Sequence, residues 1–315
     1  MKRRPLGKTG LEVSPLGLGT WAMGGHVPTW GHVDDNESIA TIQQAIDLGL
    51  NLFDSAPIYG LGHSEELLGK AVRGRRESVV LATKCGLLPP NREGQLPPRC
   101  LSFDSILSEC EGSLRRLRTD RIDLYQCHWP DPETPIRETM QALTTLQKQG
   151  KIRAIGLSNF SYEQIATASE YGPIHCLQPP LSMLQRRSAE DLIPYCQERD
   201  IAVIAYGPLC KGLLTGKFSE SSSFEDIRAK DPEFLGDRFR QNLRTVERLR
   251  TIAQRLGKTM SQLAVNWAAN HPGVTCAILG AKRPSQLTEN AGGIGWALSD
   301  DDRMEIDAIL REGGS

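Results

Sequence analysis

No stretch of this sequence approaches the roughly 18 consecutive apolar residues that a membrane-crossing helix needs. Its opening, Met1-Lys2-Arg3-Arg4, runs into Pro5 and a turn instead of an apolar targeting segment, which sets the expectation of a cytoplasmic protein. Charge of one sign is missing too. The 37 basic residues stand against 38 acidic ones, with no basic block to track a phosphate backbone, so neither nucleic acid nor membrane is expected as a partner. The eight cysteines are scattered, with no C-x-x-C pair and no histidine at zinc-ligand spacing; they read as reduced thiols, and no metal is expected. Two phosphate-binding signatures are absent as well. Gly17-Leu18-Gly19-Thr20-Trp21 fails G-x-G-x-x-G and no G-x-x-x-x-G-K-[ST] loop occurs, so neither a doubly wound dinucleotide fold nor a P-loop hydrolase is supported.

What is present is a globular composition, 39% hydrophobic and 24% charged, which excludes disorder and allows a sizeable core. Short apolar runs, many of them β-branched, alternate with amphipathic stretches. The strand-like runs are Leu16 to Trp21, Leu50 to Asp54, Val79 to Cys85, Ile122 to His128, Ile152 to Ser158, Cys176 to Pro180, Ala202 to Pro208 and Cys276 to Ala281. Helical patterns separate them: Asp35 to Leu48, Ser64 to Val72, Phe103 to Leu117, Thr134 to Gln149, Ser161 to Tyr171, Ala189 to Glu198, a longer region Asn242 to Ala269, and one from Pro284 onward. Eight strand–helix repeats predict a single (β/α)8 TIM barrel spanning residues 1–315, behind a turn-rich N-terminal β-hairpin cap. Pro89 to Cys100, Ser219 to Arg238 and the tail beyond Ser299 interrupt the spacing; the first two follow barrel strands and read as long active-face loops.

Reactive groups in such a barrel sit where strands end. Asp54 ends the second strand, with Tyr59 five residues on, Lys84 the third and His128 the fourth, on three adjacent strands. A phenol, an ammonium, a carboxylate and an imidazole converging there make a proton-donating site without nucleophile or metal. The ammonium is expected to lower the tyrosine pKa and the carboxylate to hold the lysine. The imidazole, neutral or protonated, could orient a carbonyl oxygen while Tyr59 gives up its proton, and such a site needs a hydride source. Each of the four residues alone has a bland explanation, as a turn cap, packing or a surface ion pair; their joint placement is what carries the reading.

At these residues the sequence resembles the aldo-keto reductase superfamily, from Leu6 to about Asn290, and is similar to the bacterial branch near the inositol-operon-type reductases and potassium-channel β subunits. Further matching stretches are Gly17-Leu18-Gly19-Thr20-Trp21, Gly62-His63-Ser64-Glu65, Gly156-Leu157-Ser158-Asn159-Phe160, Tyr206-Gly207-Pro208-Leu209, Gly212 through Lys217, and Gly280-Ala281-Lys282 leading to Gln286, Glu289 and Asn290. The resemblance implies NADPH extended over the barrel mouth and a small-molecule carbonyl substrate. Gly19, Thr20, Trp21 and Asp54 would border the cofactor. Ser158, Asn159 and Gln178 would meet its carboxamide, and Tyr206 would stack on its ring. Gly207, Pro208, Leu209, Cys210, Gly212 and Lys217 would hold the pyrophosphate. Lys282, with Gly280, Ala281 and Arg238, would hold the 2′-phosphate, while Gln286, Glu289 and Asn290 would line the adenine.

Trp21, Tyr59, His128 and Trp129 are expected to form the substrate pocket, with His26 and Trp30 near it. Three thiols border the mouth and read first as buried filler; the alternative is that Cys85 or Cys210, near cations, carries enough thiolate character for oxidation. No coiled-coil heptad is evident, which points to a monomer. A cofactor-sensing regulator and a sugar or polyol dehydrogenase remain open beside the reductase.

Overall fold

The computed structural model describes residues 1–25, 30, 31, 33–90, 92 and 95–313. Two short strands, β1 (Arg4–Pro5) and β2 (Glu12–Val13), pair antiparallel at the N-terminus. Eight more follow: β3 (Leu16–Gly19), β4 (Leu52–Asp54), β5 (Val80–Cys85), β6 (Ile122–Cys127), β7 (Ile152–Ser158), β8 (Cys176–Gln178), β9 (Ala202–Tyr206) and β10 (Cys276–Gly280). They form a closed parallel barrel in chain order, with β10 pairing back on β3. Around it lie α1 (Asp35–Asp47), α2 (His63–Ala71), α3 (Phe103–Leu117), α4 (Ile136–Lys148), α5 (Tyr162–Ser169), α6 (Arg187–Glu190) and α7 (Leu192–Gln197). After them come α8 (Gly236–Arg255), α9 (Met260–Ala269), α10 (Pro284–Ala291) and α11 (Asp300–Glu312). The eight-strand barrel expected from the alternation is present.

Strand residues are buried on both faces, which is why the runs read as continuous apolar segments. Leu52, Val80, Ala82, Leu124, Ala154 and Cys176 pack inside the barrel, whereas Tyr125 and Cys127 face outward into the helix-packed cluster. The hairpin closes the N-terminal end: Leu6, Leu11 and Val13 join the lumen cluster. Burying a side chain such as Leu6 or Leu124 there contributes about 1.5–3 kcal/mol. That end is sealed, so chemistry is confined to the other one.

Three boundaries differ from expectation for local reasons. Five strands, β3, β6, β8, β9 and β10, stop one or two residues early where the chain turns over the mouth; Trp21 lies in a 3-10 turn (Trp21–Gly24) and not in β3. The expected long helix to Ala269 is two helices, broken at Gly257 (φ 64°) and restarted by the Thr259–Gln262 capping box. The tail beyond Ser299 is not irregular: Ser299 and Asp302 form another capping box, and α11 buries Ile306, Ile309 and Leu310.

Candidate active site

Asp54 at the end of β4 and Lys84 near the end of β5 meet inside the barrel mouth, where Lys84 Nζ donates to Asp54 Oδ2 at 2.6 Å. The same ammonium donates to the Ser55 carbonyl at 2.8 Å and to the Tyr59 hydroxyl at 3.3 Å. Lys84 is fully buried and Asp54 nearly so. Tyr59 opens a 3-10 turn (Tyr59–Gly62) whose backbone touches the first loop. A Cβ on Gly60 would lie 2.2 Å from the Gly24 carbonyl oxygen, so close approach and a positive φ of 62° both require glycine there. This contact seats the Tyr59 ring beside Trp21, with centroids 6.1 Å apart, and edge-on to His128 at 5.7 Å. The four residues expected from the strand ends are therefore brought together.

Their protonation differs from expectation in one respect. Burial, and secondarily the Asp54 charge, push the Tyr59 phenol well above its ordinary value instead of lowering it. The reason is that burial disfavours the phenolate and the Asp54 charge adds to this, so Tyr59 rests as a proton-bearing phenol. Burial pulls Lys84 down, opposed by Asp54 and by Glu65. Burial and then the Lys84 charge hold His128 well below the usual imidazole range, so it is neutral at physiological pH.

Above this group, Ser158 Oγ donates to the Gln178 carbonyl at 2.9 Å. The Asn159 amide donates to the His128 carbonyl at 2.9 Å and to Ser158 Oγ at 3.1 Å, and its Oδ1 accepts from the Tyr206 hydroxyl at 2.9 Å. Tyr206 is thus braced, through Asn159, against the His128 carbonyl just past the end of β6. Thr20 points behind the site, its hydroxyl bonded to the Asp54 carbonyl and Ser64 Oγ. Gly207 (φ 76°) and Gly212 (φ 93°) turn the chain after β9 around buried Cys210. Lys282 N–H donates to Gln286 Oε1 at 3.0 Å ahead of α10, and Asn290 is buried on that helix while Glu289 is exposed.

Farther along the mouth, three cations gather. The Arg228 guanidinium lies 5.3 Å from the Phe218 ring, 4.9 Å from Phe224 and 5.7 Å from Trp30. Lys217 Nζ sits 5.0 Å from the Phe218 ring and Lys282 Nζ 5.8 Å from Trp30. Burial and then the Arg228 charge lower both lysines, with Asp226, already paired to Arg228, opposing. Arg238, expected at the 2′-phosphate, donates to Glu233 at 3.0 Å at the start of α8. Sequence reasoning missed Arg228; the signal was an arginine flanked by phenylalanines in the loop already flagged as an active-face insertion.

Trp21 and Trp129 remain partly exposed at the rim, 37% and 36%, and the Arg99 guanidinium lies 5.2 Å from the Trp129 ring. Trp30 meets Trp21 edge-on at 5.4 Å, while His26 lies outside the described residues. The buried-filler reading of Cys85 and Cys210 agrees with the structure, and the alternative of an oxidisable thiolate is overturned. Both thiols are buried, and burial drives Cys85 well above its ordinary value and Cys210 up to about 12. No cluster of three or more metal-ligating side chains occurs among the described residues.

A chain of carboxylate, ammonium and phenol beside a neutral imidazole, open to one end of the barrel, defines an oxidoreductase acting on carbonyls. The model of the Aldo/keto reductase family matches residues 15–311, and the chain belongs to that family. It is 44% identical over 315 residues to "Aldo-keto reductase YhdN" of Bacillus subtilis (strain 168), covering 98% of this chain and 94% of that one. It is 37% identical to the "NADH-specific methylglyoxal reductase" of Escherichia coli (strain K12), over 96% of each chain. Among solved structures, the glycerol dehydrogenase AKR11B4 from Gluconobacter oxydans superposes with a TM-score of 0.89 at 39% identity, over 96% of this chain and 93% of that one.

Proposed function

We propose that this protein reduces aldehydes and activated ketones with NADPH and that Tyr59 donates the proton. The observation that carries the reading is the hydrogen-bonded series Asp54–Lys84–Tyr59 with a protonated phenol at its open end. The residues fit the cofactor. Three cations against a single, already paired carboxylate suit a phosphate ester, and the strand-end amides and the Tyr206 ring suit a carboxamide-bearing aromatic. Ser158, Asn159 and Gln178 would hold the carboxamide, Tyr206 the ring, and Gly207 to Gly212 the pyrophosphate. Lys217, Arg228 and Lys282 would hold the 2′-phosphate, and Gln286, Glu289 and Asn290 the adenine. When bound, the reduced nicotinamide supplies the hydride.

The chain's own residues do the rest. The neutral imidazole of His128 and the Tyr59 hydroxyl both donate to the carbonyl oxygen, and negative charge developing there draws the Tyr59 proton across. Lys84 Nζ, at 3.3 Å, then stabilises the phenolate left behind. Asp54 holds that ammonium in place at 2.6 Å. Trp21 and Trp129, partly exposed at the rim, would wall the substrate side.

The same residues serve alcohol oxidation in reverse, with Tyr59 phenolate accepting the proton, and the likeness to a glycerol dehydrogenase supports that second direction. The loss of reduced-nicotinamide absorbance with NADPH and NADH separately, against 4-nitrobenzaldehyde and methylglyoxal, tests the reading, with glycerol and NADP+ as the reverse arm. NADPH-preferring carbonyl turnover is the expected result. Preference for NADH, as the E. coli relative's name states for that protein, would overturn the cofactor half.

A further inference from the structure

Gln126 lies fully buried on β6, level with Lys84 on β5 and Gly156 on β7. One residue pair lower, the inward position is Leu124, part of the apolar lumen cluster. An amide buried at this depth is unfavourable by about 1–3 kcal/mol unless it is bonded, so stability alone gives no reason for glutamine over an apolar residue of the same length. Its bonds supply the reason. Gln126 Nε2 donates to Asp54 Oδ1 at 3.2 Å, and Gln126 Oε1 accepts from Gln178 Nε2 at 3.4 Å. Gln178 Nε2 also donates to the same Asp54 oxygen at 2.8 Å. The neighbouring strand leaves room for this reach, since a Cβ on Gly156 would stand 2.8 Å from Gln126 Cγ.

The direction of each bond follows from chemistry. An ionised carboxylate only accepts, so both amides must turn their NH2 groups to Asp54. That orientation turns the Gln178 carbonyl oxygen away from the carboxylate. We propose that Gln126 is a positioning residue: it holds the Asp54 carboxylate rotated toward Lys84 and locks the Gln178 amide with its oxygen outward, as acceptor for the N–H of the cofactor carboxamide. The inference rests on the nicotinamide-dependent reading above.

Gln126→Met keeps the length and removes both bonds. NADPH affinity, measured by quenching of tryptophan fluorescence, is expected to fall about tenfold with the melting temperature within about 5 °C of wild type. In a Gln178→Met background the same substitution is expected to change affinity less than twofold, because the partner it acts through is gone. Gln126→Glu provides a second readout. Its carboxyl can donate to Asp54 only while protonated, so affinity for NADPH, and equally for NADH, should approach wild type at low pH and fall as pH rises through that carboxyl's pKa, a step additional to any the wild type shows. Wild-type affinity in a folded Gln126→Met variant, or an equal effect in both backgrounds, overturns the proposal. Should Gln126→Met not fold, absence of the pH step in Gln126→Glu overturns it. Wild-type protein that binds NADH and not NADPH defeats the cofactor reading alone. The test then runs with NADH, which carries the same carboxamide.

Discussion

Arg228 is the residue whose replacement should separate the two nicotinamide cofactors. Its guanidinium is mostly buried, 17% exposed, among Trp30, Phe218 and Phe224, and it forms a single cationic group with Lys217 and Lys282. A charge-assisted hydrogen bond to phosphate contributes about 1.5–3 kcal/mol, and each 1.4 kcal/mol is tenfold. Arg228→Leu, which keeps apolar volume against the rings, should therefore lower kcat/KM for NADPH about 10- to 100-fold and leave that for NADH nearly unchanged. Arg228→Lys should recover part of the loss. The pH dependence has a definite sign. Lys217 and Lys282 are held below the ordinary lysine value, so in wild type the NADPH preference should fade at lower pH than a free lysine would dictate. In Arg228→Leu the neighbouring positive charge is gone, the lysines rise, and that fading should move to higher pH. Initial rates with both cofactors across pH 7–10 measure this. An NADPH/NADH ratio within twofold of wild type would refute the assignment of this cluster to the 2′-phosphate.

Other outcomes follow from buried groups. Burial raises Glu109 from 4.5 to about 7, although the Gly86 N–H donates to its carboxylate at 3.0 Å. A raised carboxyl favours folding when protonated, so wild type loses up to about 3 kcal/mol as pH climbs from 4.5 to 7. Glu109→Gln should thus gain melting temperature relative to wild type between pH 5 and pH 8, and a constant difference would count against it. Iodoacetamide followed by peptide mapping should label Cys100 first, since hydrogen bonding by Ser102 lowers its thiol, while Cys85 and Cys210 stay unmodified and activity persists. Lys84→Met strands the Asp54 carboxylate in the barrel and should destabilise by about 3–5 kcal/mol in urea unfolding, beyond abolishing turnover. Stability unchanged in that variant would mean that Asp54 finds another partner or a proton.

Much of this was readable beforehand, and the reasons are specific. Parallel barrel strands are buried on both faces, so β4, β5 and β6 stand out as apolar runs, and the polar residues at or next to their ends lie at the mouth. Asp54, Lys84 and His128 were legible for that reason. Charge balance inside the site was not. Whether Lys84 lowers Tyr59 depends on the 2.6 Å contact to Asp54 and on burial, which spacing does not encode. Gln126 was missed because an amide two residues before His128 looks like one more strand residue until the register levels it with Lys84 and Gly156. Arg228 was missed because its place depends on loop path: the rings of Phe218 and Phe224 hold it beside Lys217 and Lys282, while Arg238, named from the sequence, pairs with Glu233. The helix break at Gly257 and the capping box at Ser299 were, by contrast, present in the sequence as ordinary local signals.

The central claim is that Tyr59 delivers the proton, and a single-turnover experiment with Tyr59→Phe tests it most directly. NADPH binding is followed by fluorescence and hydride transfer by absorbance after mixing with 4-nitrobenzaldehyde. The account predicts affinity within about threefold of wild type and a transfer rate lowered about 10²–10⁴-fold, the usual contribution of a general acid. A transfer rate within tenfold of wild type, with binding intact, would contradict it and assign the proton to another group.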